Sequence, residues 1–153
     1  MFYIPAEVIS LLTFPGIILH EMAHKFFCDL AGVKVLEVKY WSLKGGYVIH
    51  ENKDVGLKHS FLISVGPFIV NSLFAMLLMA PFSFGVYLGS QGNGEGVMLF
   101  FRFMLYWAGL SLAMHAFPSD QDTSNFTEAV KNDKTKHPIL LPFAKLFAGL
   151  FAL

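Results

Sequence analysis

The sequence predicts an all-α membrane protein with three to four transmembrane helices and a small β-hairpin after the first helix. Of its 153 residues, 55% are hydrophobic and only 14% are charged, whereas soluble domains carry about 25% charged residues. The hydrophobic residues are gathered in stretches long enough to cross a bilayer, for which about 20 residues suffice. We therefore expect a single membrane-embedded domain over residues 1–153.

Charge and cysteine content exclude several other classes of protein. Eleven Lys and Arg residues balance eleven Asp and Glu residues, so there is no net positive charge to attract a nucleic acid. The single cysteine, Cys28, excludes an intramolecular disulfide and a zinc site built from several cysteines. The lipid bilayer is the expected surrounding, and a nucleic-acid partner is not expected.

Hydropathy places the expected helices at residues 3–31, 58–88, 97–118 and 138–153. The first is read as continuous, because its helical pattern runs from the apolar start of the chain to about Ala31. The last has only 16 residues, so it is either a short or re-entrant helix or a span cut off by the chain end.

Lysines are unevenly distributed among the polar segments that separate these helices. Segments 32–58 and 119–137 contain five and three lysines, whereas the glycine-rich segment 89–96 contains neither Lys nor Arg. The positive-inside rule then places the first two segments in the cytoplasm and the third outside. We expect a multi-pass protein of the cell membrane.

A period of two in residues 33–49 predicts two short strands. Apolar side chains alternate with Lys34, Glu37 and Lys39, with one change of phase, and Gly45-Gly46 supplies a turn before a second apolar run. Alternation interrupted by a glycine-containing turn is typical of a β-hairpin.

The strongest chemical signal is His20-Glu21-Met22-Ala23-His24, an H-E-x-x-H motif on a predicted helix. Residues four apart share one face of a helix, so both imidazoles can reach one tetrahedral zinc ion. Glu21 lies beside the metal and can act as general base on a zinc-activated water. The alternative is a helix end at the membrane surface, where these side chains merely meet water, although ionisable groups in an apolar helix usually mark a functional site.

The run from His20 to Val35 resembles the zinc-motif region of the site-2 protease family of intramembrane metalloproteases. In that family a Gly-Val-x-Val stretch, here residues 32–35, commonly follows the two histidines and leads into strands. The resemblance implies hydrolysis of peptide bonds in transmembrane or membrane-associated protein substrates, with one Zn²⁺ per chain. Lys25 departs from the family pattern, in which an uncharged residue usually follows the second histidine.

The third zinc ligand is also inferred from this resemblance. The relatives supply an aspartate near the end of the third core helix, in a segment that contains Asn, Pro and then Asp-Gly. This chain has Pro118 at the corresponding place but no Asp-Gly pair. The family spacing favours Asp122 as the ligand; Asp120, which could instead cap the following helix, and His115 are the alternatives. With His20 and His24 the ligands then meet towards the cytoplasmic side.

A second resemblance concerns Asn71, which follows Gly66-Pro67. Relatives often show Gly-Pro, two residues and then Asn, and that Asn is thought to position the substrate; three residues intervene here. Asn71 is therefore a candidate substrate-binding residue. The alternative is an Asn that ties two helices together by hydrogen bonds, with Gly66-Pro67 as a kink or a helix start.

Two other functions remain open from the sequence. One is a membrane protein with a non-catalytic zinc site, for which Glu21 would serve no purpose. The other is a membrane zinc peptidase of another type, which takes its third ligand from a later helix, with Glu128 as the obvious replacement. In the peptidase that resembles the site-2 proteases, the strands of residues 33–49 could hold an extended substrate by strand addition.

Overall fold

The computed structural model describes residues 5–51, 55–83 and 95–132, which are mostly helical and include one two-stranded antiparallel sheet. The elements in chain order are α1 (Ala6–Leu12), α2 (Phe14–Ala31), β1 (Val35–Lys39), β2 (Tyr47–His50), α3 (Leu57–Ser83), α4 (Glu95–Met114) and α5 (Asp120–Asn132). The expected helix at 138–153 lies outside the described residues, as do most of the glycine-rich segment and residues 84–88 of the second expected helix.

Among the described residues, two helices have the length and hydropathy needed to cross a membrane. They contain the stretches Leu57–Ala80 of α3 and Gly96–Met114 of α4. A third span results if α1 and α2 are counted together as one bent segment. The prediction of a mostly helical chain with long apolar helices is therefore confirmed at this level of detail.

The expectation of one continuous helix over residues 3–31 is wrong, because the chain bends sharply at Thr13. The axes of α1 and α2 meet at 83°. Pro15 lies in the first turn of α2, and it has no N–H to donate to the carbonyl of Leu11, four residues earlier. The hydrogen-bond ladder of a continuous helix is thus interrupted at this point.

Side chains from distant elements satisfy the carbonyls that the bend leaves exposed. The indole Nε1 of Trp41 donates to the carbonyl of Ser10 at 3.2 Å, and that of Trp107 donates to the carbonyl of Leu12 at 2.8 Å. Ser111 Oγ donates to the carbonyl of Thr13 at 2.8 Å. An apolar segment tolerates a break only when its backbone groups find such partners.

The predicted β-hairpin is confirmed. β1 and β2 pair antiparallel, with Lys39 opposite Tyr47 and Glu37 opposite Ile49. The register shifts between Val35 and Glu37, where the alternation in the sequence changes phase. Gly45 has φ of 105°, a left-handed conformation that glycine adopts at little cost.

Helices α2, α3 and α4 pack against one another through glycines. A Cβ atom on Gly16 of α2 would lie 2.2 Å from the carbonyl oxygen of Ser111 in α4, and one on Gly66 of α3 would lie 2.0 Å from the ring of Phe27 in α2. Small residues allow this close approach of helix backbones. Helix α2 therefore lies against both α3 and α4, with the hairpin also in contact with it.

Helix α5 packs on the beginning of α3. Its Phe126 is fully buried and contacts Leu57, with Phe61, Ala129 and Val130 around them. Helix α4 ends at Met114 rather than at the expected residue 118, because Pro118 disfavours a helical residue before it and a new helix starts at Asp120. This short connection brings the first turn of α5 close to the middle of α2.

Candidate metal centre

Three side chains from two helices meet inside the helix bundle. His20 and His24 lie one turn apart on α2 and are 7% and 6% exposed, and Asp122, in the first turn of α5, is 9% exposed. The two imidazole Nε2 atoms are 3.1 Å apart. His24 Nε2 lies 3.1 Å from Asp122 Oδ1, and His20 Nε2 lies 3.6 Å from Asp122 Oδ2. One ligand atom from each residue lies within 4.8 Å of the other two.

The second nitrogen of each imidazole is bound to a backbone carbonyl. His20 Nδ1 donates to the carbonyl of His115 at 2.7 Å, and His24 Nδ1 donates to the carbonyl of Ile63 at 3.0 Å. A carbonyl can only accept, so the proton of each neutral ring is on Nδ1 and the lone pair is on Nε2. Histidines that bind metals are typically held in this way.

The three ligand atoms fit a divalent metal ion. Two lone pairs at 3.1 Å and a neighbouring carboxylate repel one another unless a metal cation or an added proton lies among them. Zinc ligands at about 2.0–2.1 Å from the ion are separated by about 3.4 Å in a tetrahedron, close to the distances between these atoms. Two imidazoles and one carboxylate form a donor set that suits zinc and leaves a fourth position open.

Asp122 is oriented by the start of its own helix. Ser119 donates to Asp122 Oδ2 from both its backbone N–H, at 2.9 Å, and its hydroxyl, at 2.7 Å. This is a capping box, in which the residue before the helix and the third helical residue bond to each other.

Glu21 lies beside the metal-binding cluster and under the hairpin. It is 9% exposed and close enough to His20 and Asp122 to interact with both through its charge. A Cβ atom on Gly46 would lie 2.5 Å from Glu21 Cγ, so the segment that leads into β2 runs directly over this side chain. The position is suitable for a carboxylate that exchanges protons at the metal site.

The structure separates the alternative ligands from the cluster. Asp120 is exposed at the start of α5, and Ser119 occupies the capping position that the sequence offered to Asp120. The ring of His115 bonds to Thr13 Oγ1 at 2.8 Å. Glu128 is exposed, and six residues after Asp122 place it about 120° away around the helix. Among the described residues, the potential metal-binding group contains His20, His24 and Asp122.

Asn71 ties three helices together. It is fully buried, and its Nδ2 donates to the carbonyl of Gly16 at 3.2 Å and to that of His115 at 2.8 Å. The carbonyl of His115 thus accepts from both Asn71 and His20. Within the described part of the chain, Asn71 Oδ1 has no hydrogen-bond partner. The two hydrogen bonds from Nδ2 match the alternative in which Asn71 ties helices together. Binding of substrate by Asn71 would use Oδ1 as the acceptor.

Several contributors to the site were missed by the sequence analysis. The carbonyls of Ile63 and His115, which hold the histidines, cannot be assigned from side-chain patterns. Ser119 could have been found, because Ser-x-x-Asp before a helix is a capping signal. Gly46 was expected only as a turn residue, and its contact with Glu21 depends on where the hairpin packs.

Comparison with protein-family models, curated proteins and solved structures gives no match to this chain. The candidate metal centre therefore depends on the H-E-x-x-H spacing and on the geometry of the three ligands.

Proposed function

We propose that the protein is an intramembrane zinc metalloprotease that resembles the site-2 proteases and hydrolyses peptide bonds of transmembrane or membrane-associated proteins. The observation that carries the proposal is the convergence of His20, His24 and Asp122 inside a bundle of apolar helices, with Glu21 beside them. Buried ionisable groups in such a bundle are expensive and therefore mark a functional site.

Each residue has a defined role in this proposal. His20, His24 and Asp122 would hold one Zn²⁺, with Nδ1 of each histidine fixed on a carbonyl and the Asp122 carboxylate fixed on Ser119. Bound zinc lowers the pKa of a water molecule and polarises the carbonyl of the substrate. Glu21 would act as the general base, accepting a proton from water and returning one to the leaving amine.

The hairpin is the proposed place for an extended substrate. A transmembrane helix hides its carbonyls in hydrogen bonds, so it must unwind before cleavage. In the described part of the chain the sheet has two strands, and each therefore has an edge on which a peptide could add as a further strand. Asn71 is the proposed polar contact to substrate, and the proposed location, towards the cytoplasmic side of the cell membrane, is supported by the lysine distribution.

Glu21→Gln tests the catalytic role. We expect it to keep one zinc per chain but to lose at least about 100-fold of its activity, because the amide cannot accept the proton. The measurement is cleavage of a panel of fluorescent single-span peptides in detergent micelles, together with zinc content. Glu7→Gln, at an exposed position of α1, is the matched control and should retain both.

The second candidate is a non-catalytic zinc-binding membrane protein. It is favoured by the burial of all three ligands, at 9% exposure or less, since structural sites are enclosed. In that case wild type and Glu21→Gln would bind zinc alike and neither would cleave any peptide of the panel. Cleavage by Glu21→Gln at the wild-type rate would contradict the proposed mechanism.

A further inference from the structure

We propose that Pro67 is a positioning residue for the metal centre, because it leaves the carbonyl of Ile63 free to orient the ring of His24. This inference rests on the proposed zinc site and adds a residue to it. Pro67 lies four residues after Ile63 in α3, and Ile63 supplies the carbonyl that accepts from His24 Nδ1 at 3.0 Å.

The spacing of four residues is what connects the proline with the histidine. In an α-helix the N–H of each residue donates to the carbonyl four residues earlier. Proline has no N–H, so the carbonyl of Ile63 has no donor at position 67. The carbonyl of Ile63 therefore needs a donor from elsewhere, since a buried carbonyl without a hydrogen bond costs free energy.

His24 is the donor that the structure provides. Ile63 is 4% exposed and Pro67 is less than 2% exposed, so bulk water does not compete for this carbonyl. Gly66, next to Pro67, lets α2 come close, because a Cβ atom there would meet the ring of Phe27. Gly66 thus allows α2 to come close to α3, and Pro67 leaves the carbonyl of Ile63 available to His24.

An N–H at position 67 would compete with His24 for the carbonyl of Ile63. With alanine there, the helix would form its regular hydrogen bond to the carbonyl of Ile63, and His24 Nδ1 would share its acceptor or lose it. The imidazole would then be less well oriented and its Nδ1 proton less firmly fixed. Loss of such a second contact typically lowers metal affinity 10–100-fold.

Replacement of Pro67 by alanine would also stabilise α3 itself. Proline in a helix interior is strongly unfavourable compared with alanine, so Pro67→Ala should not lower the thermal stability of the metal-free protein. A residue that merely supports the fold would lose stability and affinity together. A positioning residue loses affinity alone.

The experiment measures zinc affinity by competition with a chromophoric chelator, and thermal unfolding of the metal-free protein, for wild type, Pro67→Ala and Pro81→Ala. Pro81 is the matched control: it also lies in α3, about 21 Å further along the helix axis. The visible spectrum of the Co²⁺-loaded proteins reports the ligand geometry.

We expect Pro67→Ala to bind zinc 10–100-fold more weakly with an altered Co²⁺ spectrum and an unfolding temperature that is unchanged or higher. Pro81→Ala should match wild type in affinity and spectrum. Equal zinc affinity in wild type and Pro67→Ala would overturn the role of Pro67 while leaving the zinc site intact. Absence of zinc binding in wild type would instead overturn the site, and the role of Pro67 with it.

Discussion

At the scale of single residues, Asp122 links a helix start to the candidate metal centre. Its Oδ2 accepts two hydrogen bonds from Ser119, while Oδ1 lies 3.1 Å from His24 Nε2. The carboxylate also lies in the first turn of α5, where the positive end of the helix dipole stabilises a negative charge. One side chain thus has its orientation set by its own helix before any metal binds.

Ser119→Ala tests this coupling of cap and ligand. Loss of the hydroxyl should lower the free energy of unfolding by about 1 kcal/mol, the usual cost of removing a cap. Zinc affinity should fall by 10–100-fold, because the carboxylate loses a contact that orients it. Chelator competition and thermal unfolding measure the two effects. Ser119→Thr, which keeps a hydroxyl, should retain most of the affinity; a loss as large as that of alanine would contradict the explanation.

The sequence could predict His20 and His24 because both lie on one helix, where four residues ensure a shared face. The choice between Asp120 and Asp122 was harder. Two residues in a helix differ by about 200° around its axis, so the choice depends on how α5 is docked. That docking is set by the burial of Phe126 against α3, a long-range contact that local spacing does not reveal.

At the scale of elements, α2 is positioned by close backbone contacts with α3 and α4. Gly16 donates from its N–H to Ser111 Oγ at 2.8 Å, and its carbonyl accepts from Asn71. The sequence predicted the apolar helices, because hydropathy is a local property. It did not predict the bend at Thr13, where the carbonyls of Ser10 and Leu12 accept hydrogen bonds from Trp41 and Trp107, which lie 31 and 95 residues further along the chain.

Gly16→Ala tests the contact between α2 and α4. The added Cβ atom would lie 2.2 Å from the backbone oxygen of Ser111, so a helix must shift, and we expect a loss of about 1–3 kcal/mol in stability. Gly96→Ala is the control, since it is also helical but has no atom of the described residues within 4 Å of the added Cβ. Thermal unfolding of both variants should show a lower temperature for Gly16→Ala only. Equal stabilities would mean that the contact is looser than the structure indicates.

At the scale of the whole molecule, the candidate metal centre forms only when three helices are packed together. Helix α2 supplies two of the candidate ligands, α5 supplies the third, and α3 supplies the carbonyl that holds His24 and the surface on which α5 packs. The overall class, helical with long apolar segments and a hairpin, could be predicted from composition and periodicity. The assembly of the site could not be predicted in this way, because it depends on contacts between residues more than 90 positions apart in the sequence.

The most direct test of the central claim is the zinc content of the detergent-purified protein, measured for wild type, His20→Ala, Asp122→Ala and Asp120→Ala after exposure to excess zinc. We expect one zinc per chain in wild type and in Asp120→Ala, and little or none in His20→Ala and Asp122→Ala, because only the latter two lose a ligand atom. Absence of zinc in wild type would contradict the metal centre itself. Zinc retained in Asp122→Ala but lost in Asp120→Ala would contradict the third ligand.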